Sequence, residues 1–342
     1  MSRWIRSLST VALVTSLAAI AWVAEAAEPL TLKMATVAPD GTPWASALQE
    51  FKKKVEAGTA GRIVVKPFLG GVLGDENETV VACQRGQIQG VGASTGALAS
   101  IVPELSVLEL PYLFRNTAEA DQVLDKVILS KVESLFSTRG LTLGFWSENG
   151  YRSFGTKFGF VRSPADLAGH KMRSQEQKVH LEMYRQFGAS PVPIPVTEVL
   201  TSLQTGVIDG YDNTPLFAQA AQWTSATNYF TVTEHIYQPA AIAFNKAWFD
   251  ALTPADQAVL ISARTDLMPK SRREIRALTP ILIENLSAMD IEVHALTAAE
   301  RSSFDAPAKK ARDTYMANAS AGEKALYAQI TAGLAEWRKT HP

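Results

Sequence analysis

The sequence predicts an α/β protein of two lobes, from three observations. A strand-helix-strand pattern opens the chain near residue 30, the same pattern returns after Asp166, and the chain is too long for one core. The length argument begins at the N-terminus. Arg3 and Arg6 precede an apolar run from Val11 to Val23 and then Ala24-Glu25-Ala26, the charge, apolar and small-residue order of a secretory signal peptide. Residues 1–26 are therefore expected to be cleaved after Ala26, and the run is shorter than the ~20 residues of a membrane span. Removing 26 of 342 residues leaves 316, above the size at which a single hydrophobic core stops growing.

The elements follow in order. Thr31 to Val37 reads as a strand, Trp44 to Ala57 as an amphipathic helix and Arg62 to Phe68 as a second strand, broken by Asp40-Gly41 and Gly58 to Gly61. Asp75 to Arg85 is a helix stopped by Gly86, and Ile88 to Val91 a strand. The second lobe predicts strands at Lys171 to Ser174, Ser190 to Ile194 and Val207 to Asp209, with helices over Gln177 to Phe187 and Glu198 to Gln204. Gln84, Gly86, Ile88 and Gly90 precede Gln204, Gly206, Ile208 and Gly210 by 120 positions each, a pattern that fits either an internal repeat or a common helix-glycine-strand turn. Ala240 to Phe244 reads as a strand and Lys270 to Met289 as a long helix. Its Arg272, Arg273 and Arg276 are expected on a solvated face.

Composition excludes several functions. Lys and Arg number 33 against 34 Asp and Glu, so no charge excess draws nucleic acid or an anionic membrane. Cys83 has no partner for a disulfide and is expected to be a small buried hydrophobe. The five histidines show no metal-ligand spacing, so neither a metal nor a cofactor is expected.

In open α/β sheets, ligands collect beyond the carboxyl ends of the strands, where Arg173, Asn213 and Ser94 fall. A guanidinium there offers a planar fork of donors matched to a carboxylate, and an amide beside it can donate and accept. Each has a structural alternative. Arg173 can serve an ion pair, Arg152 has Glu148 near in sequence to pair with, Asn213 can cap the helix after Pro215, and Asp209 can bind turn N–H groups.

An enzymatic alternative is a secreted serine hydrolase. Gly92-Ala93-Ser94-Thr95-Gly96 fits the nucleophile elbow after a predicted strand, and Asp212 and His235 follow in the required order. Against it, Pro103 cuts the helix the elbow needs, and no oxyanion segment precedes Ser94.

The ordered motifs resemble the periplasmic solute-binding subunits of tripartite ATP-independent (TRAP) transporters, the DctP-like family. The resemblance covers the mature chain and is carried by Leu32-Lys33-Met34-Ala35, Gly70 to Gly74, Leu110-Pro111-Tyr112-Leu113-Phe114, Gly150-Tyr151-Arg152 and Asp166 to Arg173. It continues through Gly188-Ala189-Ser190-Pro191, Glu198, Leu203 to Gly210, Asn213 and His235. It implies a periplasmic, non-catalytic clam-shell protein with hinge strands and a long helix spanning both lobes. Such a protein captures a small organic acid and delivers it to a small and a large membrane subunit. By the resemblance, Arg173 pairs with the substrate carboxylate, Arg152 is a second pocket arginine and Asn213 is the pocket asparagine. Trp44, Ser94, Trp146 and Tyr211 join them by proximity to pocket-forming segments. On this frame lobe I comprises 27–150 with about 239–278, and lobe II comprises 151–238 with about 279–342.

Two departures bear on the ligand. Val37 stands where sialic-acid binders of the family have asparagine, and Tyr211-Asp212 replaces the usual Gln-Glu before Asn213. They imply a drier, more aromatic pocket, suited to a smaller or more apolar acid than a polyhydroxylated sugar acid.

Overall fold

Strand β1 (Leu30–Ala35), helix α1 (Pro43–Gly58), strand β2 (Ile63–Phe68), helix α2 (Glu76–Gln84) and strand β3 (Gly90–Ser94) build the first lobe of the computed structural model, which describes residues 28–341. The expected signal peptide, residues 1–26, lies outside the described residues. Helix α1 starts where Thr42 accepts from the Ala45 N–H at 3.2 Å, with Pro43 at a first position that needs no donor. Its buried Leu48, Phe51 and Val55 fall on one face and press on the sheet.

The second lobe uses the same device. Strands β4 (Leu141–Thr156), β5 (Lys171–Ser174), β6 (Ser190–Pro193), β7 (Gly210–Asn213), β8 (Tyr229–Asn245) and β9 (Glu292–Ala295) join the first three in one sheet, ordered β2-β1-β3-β8-β4-β7-β5-β6, with β9 on β8. Read from either end, this order is the same: two parallel strands, a third parallel strand, then a long antiparallel one. The four-residue match at a spacing of 120 positions is thus also a match in structure. Gly86 and Gly206 both end a helix at φ 76°, a left-handed conformation that glycine adopts without strain.

The register makes the correspondence residue by residue. Met34 and Ala35 of β1 stand beside Gly90 and Val91, and Met172 and Arg173 of β5 stand beside Gly210 and Tyr211. Ala35 is therefore the first lobe's counterpart of Arg173. Strand β7 begins at Gly210, three residues later than the sequence predicts. Asp209 stays outside it because its carboxylate accepts from the Lys171 N–H at 2.8 Å, the turn role expected of it.

Strands β4 and β8 cross from one lobe to the other, and β4 is a strand that sequence periodicity alone does not predict. Their ladder breaks between Glu148 and Gly150 and again between Arg152 and Phe154, so the pairing is interrupted where a hinge is needed. The long helix Leu267–Ala288 packs on α1, on β4 and on the helix Pro215–Ala220, touching both lobes.

Two expectations are corrected. The basic stripe of the long helix is not a solvated face: Arg272 is 4% exposed and bonds Asp121 and Asp125, while Arg276 bonds Asp121 and Glu148. Only Arg273 of the three is exposed. The C-terminal helix Ala321–Thr340 belongs with the first lobe rather than the second, because Leu326, Ile330 and Leu334 complete the core around Leu105, Leu108 and Val123. Among the described residues, no helix is long and apolar enough to cross a membrane.

Candidate functional site

Arg173 owes its position to strand alternation. Met172 turns into the second lobe's core, so Arg173 and Gln175 turn to the opposite face, toward the gap between lobes. Arg173 is 2% exposed. Its Nε donates to the Ile194 carbonyl at 2.9 Å, its guanidinium lies 5.5 Å from the centroid of the Trp223 ring, and its buried Nη1 has no hydrogen-bond partner. Burial, with the nearby charge of Arg152, lowers its pKa to about 10. A buried donor left unmatched is costly, and an anion is what would match it.

Arg152 is placed differently. It reaches the same cleft, yet its Nε donates to Asp212 Oδ2 at 2.5 Å, its Nη2 to the Asp212 carbonyl at 2.5 Å and its Nη1 to Gln238 Oε1 at 2.8 Å. The suspected partner Glu148 instead serves Arg276 and the Tyr237 hydroxyl. Asp212 also accepts from Tyr184 at 2.7 Å and lies 3.3 Å from His235. Burial alone would raise the Asp212 pKa, but Arg152 and His235 hold it well below the usual carboxylate range.

The cleft runs between the carboxyl ends of the two half-sheets. Its larger part is lined by Thr36, Val37, Trp44, Glu76, Asn149, Arg152, Gln175, Asn213, Phe217 and Gln238. A second part shares Glu76, Gln175 and Val196 and reaches Arg173. The lobes touch around it: Val196 N–H donates to Asp75 at 2.8 Å, Gln175 to Ser94 at 3.4 Å, and buried His180 and Glu109 meet at 2.6 Å.

The remaining expected residues divide. Trp44 lines the cleft, with its indole N–H donated to the Glu148 carbonyl at 3.0 Å. Asn213 lines it too. Its Oδ1 accepts from the Thr214 N–H at 2.8 Å, and the cap of the next helix is Thr214 itself, which accepts from Phe217 N–H at 3.3 Å. Tyr211 and Trp146 do not line the cleft. Tyr211 packs into a core with Trp223, over Gly155, where any Cβ would collide with its ring, and Trp146 is part of the first lobe's core. The aromatic wall expected from Tyr211 is therefore absent, although Val37 does contribute an apolar surface.

Ser94 is buried behind the wall. Its hydroxyl donates to Glu76 at 2.8 Å and accepts from the Ala97 N–H at 3.2 Å as the cap of a four-residue helix. His235 bonds Thr233 and Asp212 instead of Ser94, so the serine-histidine pair that the hydrolase alternative needs is not assembled.

Sequence reasoning missed Glu76, Gln175, Gln238 and Asn149. Gln175 was readable as the residue two beyond Arg173, on the same face of the strand. Glu76 looked like an ordinary acidic first-turn residue. It is 8% exposed, it accepts from Ser94 N–H at 2.9 Å, and burial pushes its pKa up to about 7, with smaller contributions from Asp75 and Glu109 against the two Ser94 bonds. A raised carboxyl pKa favours folding fully below about 4.5 and loses that contribution as the pH rises through 7. Glu76→Gln keeps the bond from the Ser94 N–H, reverses the other so that its amide donates to Ser94 Oγ, and removes the charge. Without ligand, its thermal midpoint is expected to exceed that of the wild type at pH 8, by on the order of 3 kcal/mol in stability, and to match it at pH 4. An equal gap at both pH values would refute the assignment.

The sequence model of the family described as bacterial extracellular solute-binding protein, family 7, matches residues 34–318. A solute-binding protein of Verminephrobacter eiseniae is 36% identical over 240 residues, 70% of this chain and 72% of its own. The sugar acid binding protein of Advenella mimigardefordensis, solved in complex with galactonate, superposes with a TM-score of 0.84 at 25% identity, over 89% of this chain and 99% of its own. A TRAP periplasmic solute binding protein of Bordetella bronchispeptica, with density interpreted as pantoate, gives 0.82 at 30% identity, over 88% and 98%. These are proteins that bind solutes rather than transform them. The chain belongs to family 7 of the bacterial extracellular solute-binding proteins, the DctP-like solute-binding proteins of TRAP transporters.

Proposed function

We propose that this protein captures a small organic acid between its lobes, with the carboxylate on Arg173, and delivers it to the two membrane subunits of a TRAP-type secondary transporter. One observation carries the reading: a guanidinium 2% exposed whose Nη1 has no partner in the protein, at the carboxyl end of a strand in an interlobe cleft. The galactonate complex and the pantoate density of the two solved relatives support an acid as ligand. Asn213 and Trp44 take part from the two sides of the cleft, and Arg152 acts as the brace that holds Gln238 and Asp212. The leader of residues 1–26 directs export to the periplasm, with cleavage after Ala26.

The lobes move as two bodies about β4 and β8, near Gly150 and Pro239, and closure around the acid excludes water from the Arg173 pair. A ligand that prefers the closed form raises the thermal midpoint in a concentration-dependent way, worth about 2.7 kcal/mol at a hundred times its Kd. A thermal-shift screen of organic acids against neutral sugars and amines is expected to give hits among the acids alone. Hits confined to neutral or cationic compounds would refute the reading.

A further inference from the structure

The charges around the cleft restrict which acids fit, an inference that rests on the carboxylate reading above. Two guanidiniums reach this space, but Arg152 is already matched by Asp212, and only Arg173 keeps an unpartnered donor. Three carboxylates, Asp75, Glu76 and Glu176, line the same space. One available cation among them neutralises one ligand carboxylate.

The near-symmetry of the sheet explains the imbalance. Ala35 occupies the first lobe's counterpart of Arg173, and two residues on, Val37 occupies the counterpart of Gln175. The first lobe thus brings no arginine to the cleft from that position. It brings Glu76. The two Glu76 oxygens each accept from Ser94, at 2.9 and 2.8 Å, and a carboxylate oxygen has a second lone pair with which to accept from a ligand hydroxyl. Gln175, Gln238, Asn149 and Asn213 add neutral amides, which suit hydroxyl groups better than a second negative charge.

We propose that the protein selects monoanionic hydroxy acids, taking the single carboxylate on Arg173 and a hydroxyl at Glu76, and that it rejects dicarboxylates of the same carbon skeleton.

The test is calorimetry at pH 8 on matched pairs that differ only in oxidation of the far carbon, galactonate with galactarate and erythronate with meso-tartrate, plus unsubstituted butyrate and hexanoate. At least one hydroxy monoacid is expected to bind, its diacid partner at least about 100-fold more weakly, since like charges held together cost several kcal/mol. Glu76→Gln, and separately Asp212→Asn, which unmasks Arg152, should each narrow that gap by about 10-fold. Diacids that bind as tightly as their monoacids, or an unchanged gap in both variants, would overturn this proposal and leave Arg173 as the anchor. Unsubstituted acids that bind as tightly as hydroxylated ones would remove the role of Glu76. Failure of every acid to bind would overturn the carboxylate reading itself, and this proposal with it.

Discussion

Arg173→Met is expected to weaken binding of the cognate acid by roughly 30-fold or more, while the ligand-free protein becomes no less stable. The two halves of this result have one cause. Truncating one partner of a buried charged hydrogen-bonded pair costs about 2–5 kcal/mol of binding, which sets the lower bound on the affinity loss. In the free protein the same guanidinium is a liability. Its pKa, lowered to about 10 by burial and by Arg152, corresponds to a folding cost on the order of 3 kcal/mol for holding the charge away from water. Methionine fills a similar volume against Trp223 without that charge.

A structural arginine behaves the opposite way. If the bond to the Ile194 carbonyl and the Trp223 contact were its purpose, Arg173→Met would lower the thermal midpoint and leave calorimetric affinity unchanged. Measuring both quantities on one variant separates the two roles. Unchanged affinity would sink the anchor assignment regardless of stability.

The anchor was legible in sequence because it depends on local pattern. A four-residue strand with Met172 in the core turns Arg173 outward, and strand ends are where such sheets bind ligands. The parallel layout of both lobes was legible for the same reason, since glycine stops and apolar runs are local signals. What failed was non-local. Arg152 has Glu148 four positions away, yet β4 carries the two to different surroundings across a break in its ladder, and the partner is Asp212, 60 positions on. Tyr211 shares its strand face with Asn213 yet packs on Trp223 rather than lining the cleft, so its neighbourhood in sequence said nothing of its contacts. The arginines of the long helix met the same limit. Their helical spacing matched a solvated face, and only the fold shows Asp121, Asp125 and Glu148 arranged beneath Arg272 and Arg276. Glu76 shows that even a correctly placed element can hide its function, because nothing in a helix's first turn announces that it ends up buried opposite an arginine.

The largest loss of stability is expected from Asp212→Ala. Asp212 is fully buried and matches the charge of Arg152 at 2.5 Å, so its removal leaves a guanidinium in the interior with only the Gln238 amide and a backbone carbonyl as partners. Breaking a buried pair from one side costs about 3–5 kcal/mol, and the hydroxyl of Tyr184 loses its acceptor as well. Replacing both charges together is expected to recover most of that loss, because the pair pays twice for desolvation and returns it only while intact. The measurement is a double-mutant cycle of Arg152→Met and Asp212→Leu by chemical denaturation, in which the coupling should exceed about 2 kcal/mol. Additive losses would mean that Arg152 and Asp212 act independently. In that case Arg152 would be available to the ligand, the cleft would hold two working cations, and dicarboxylates would regain their place among its substrates.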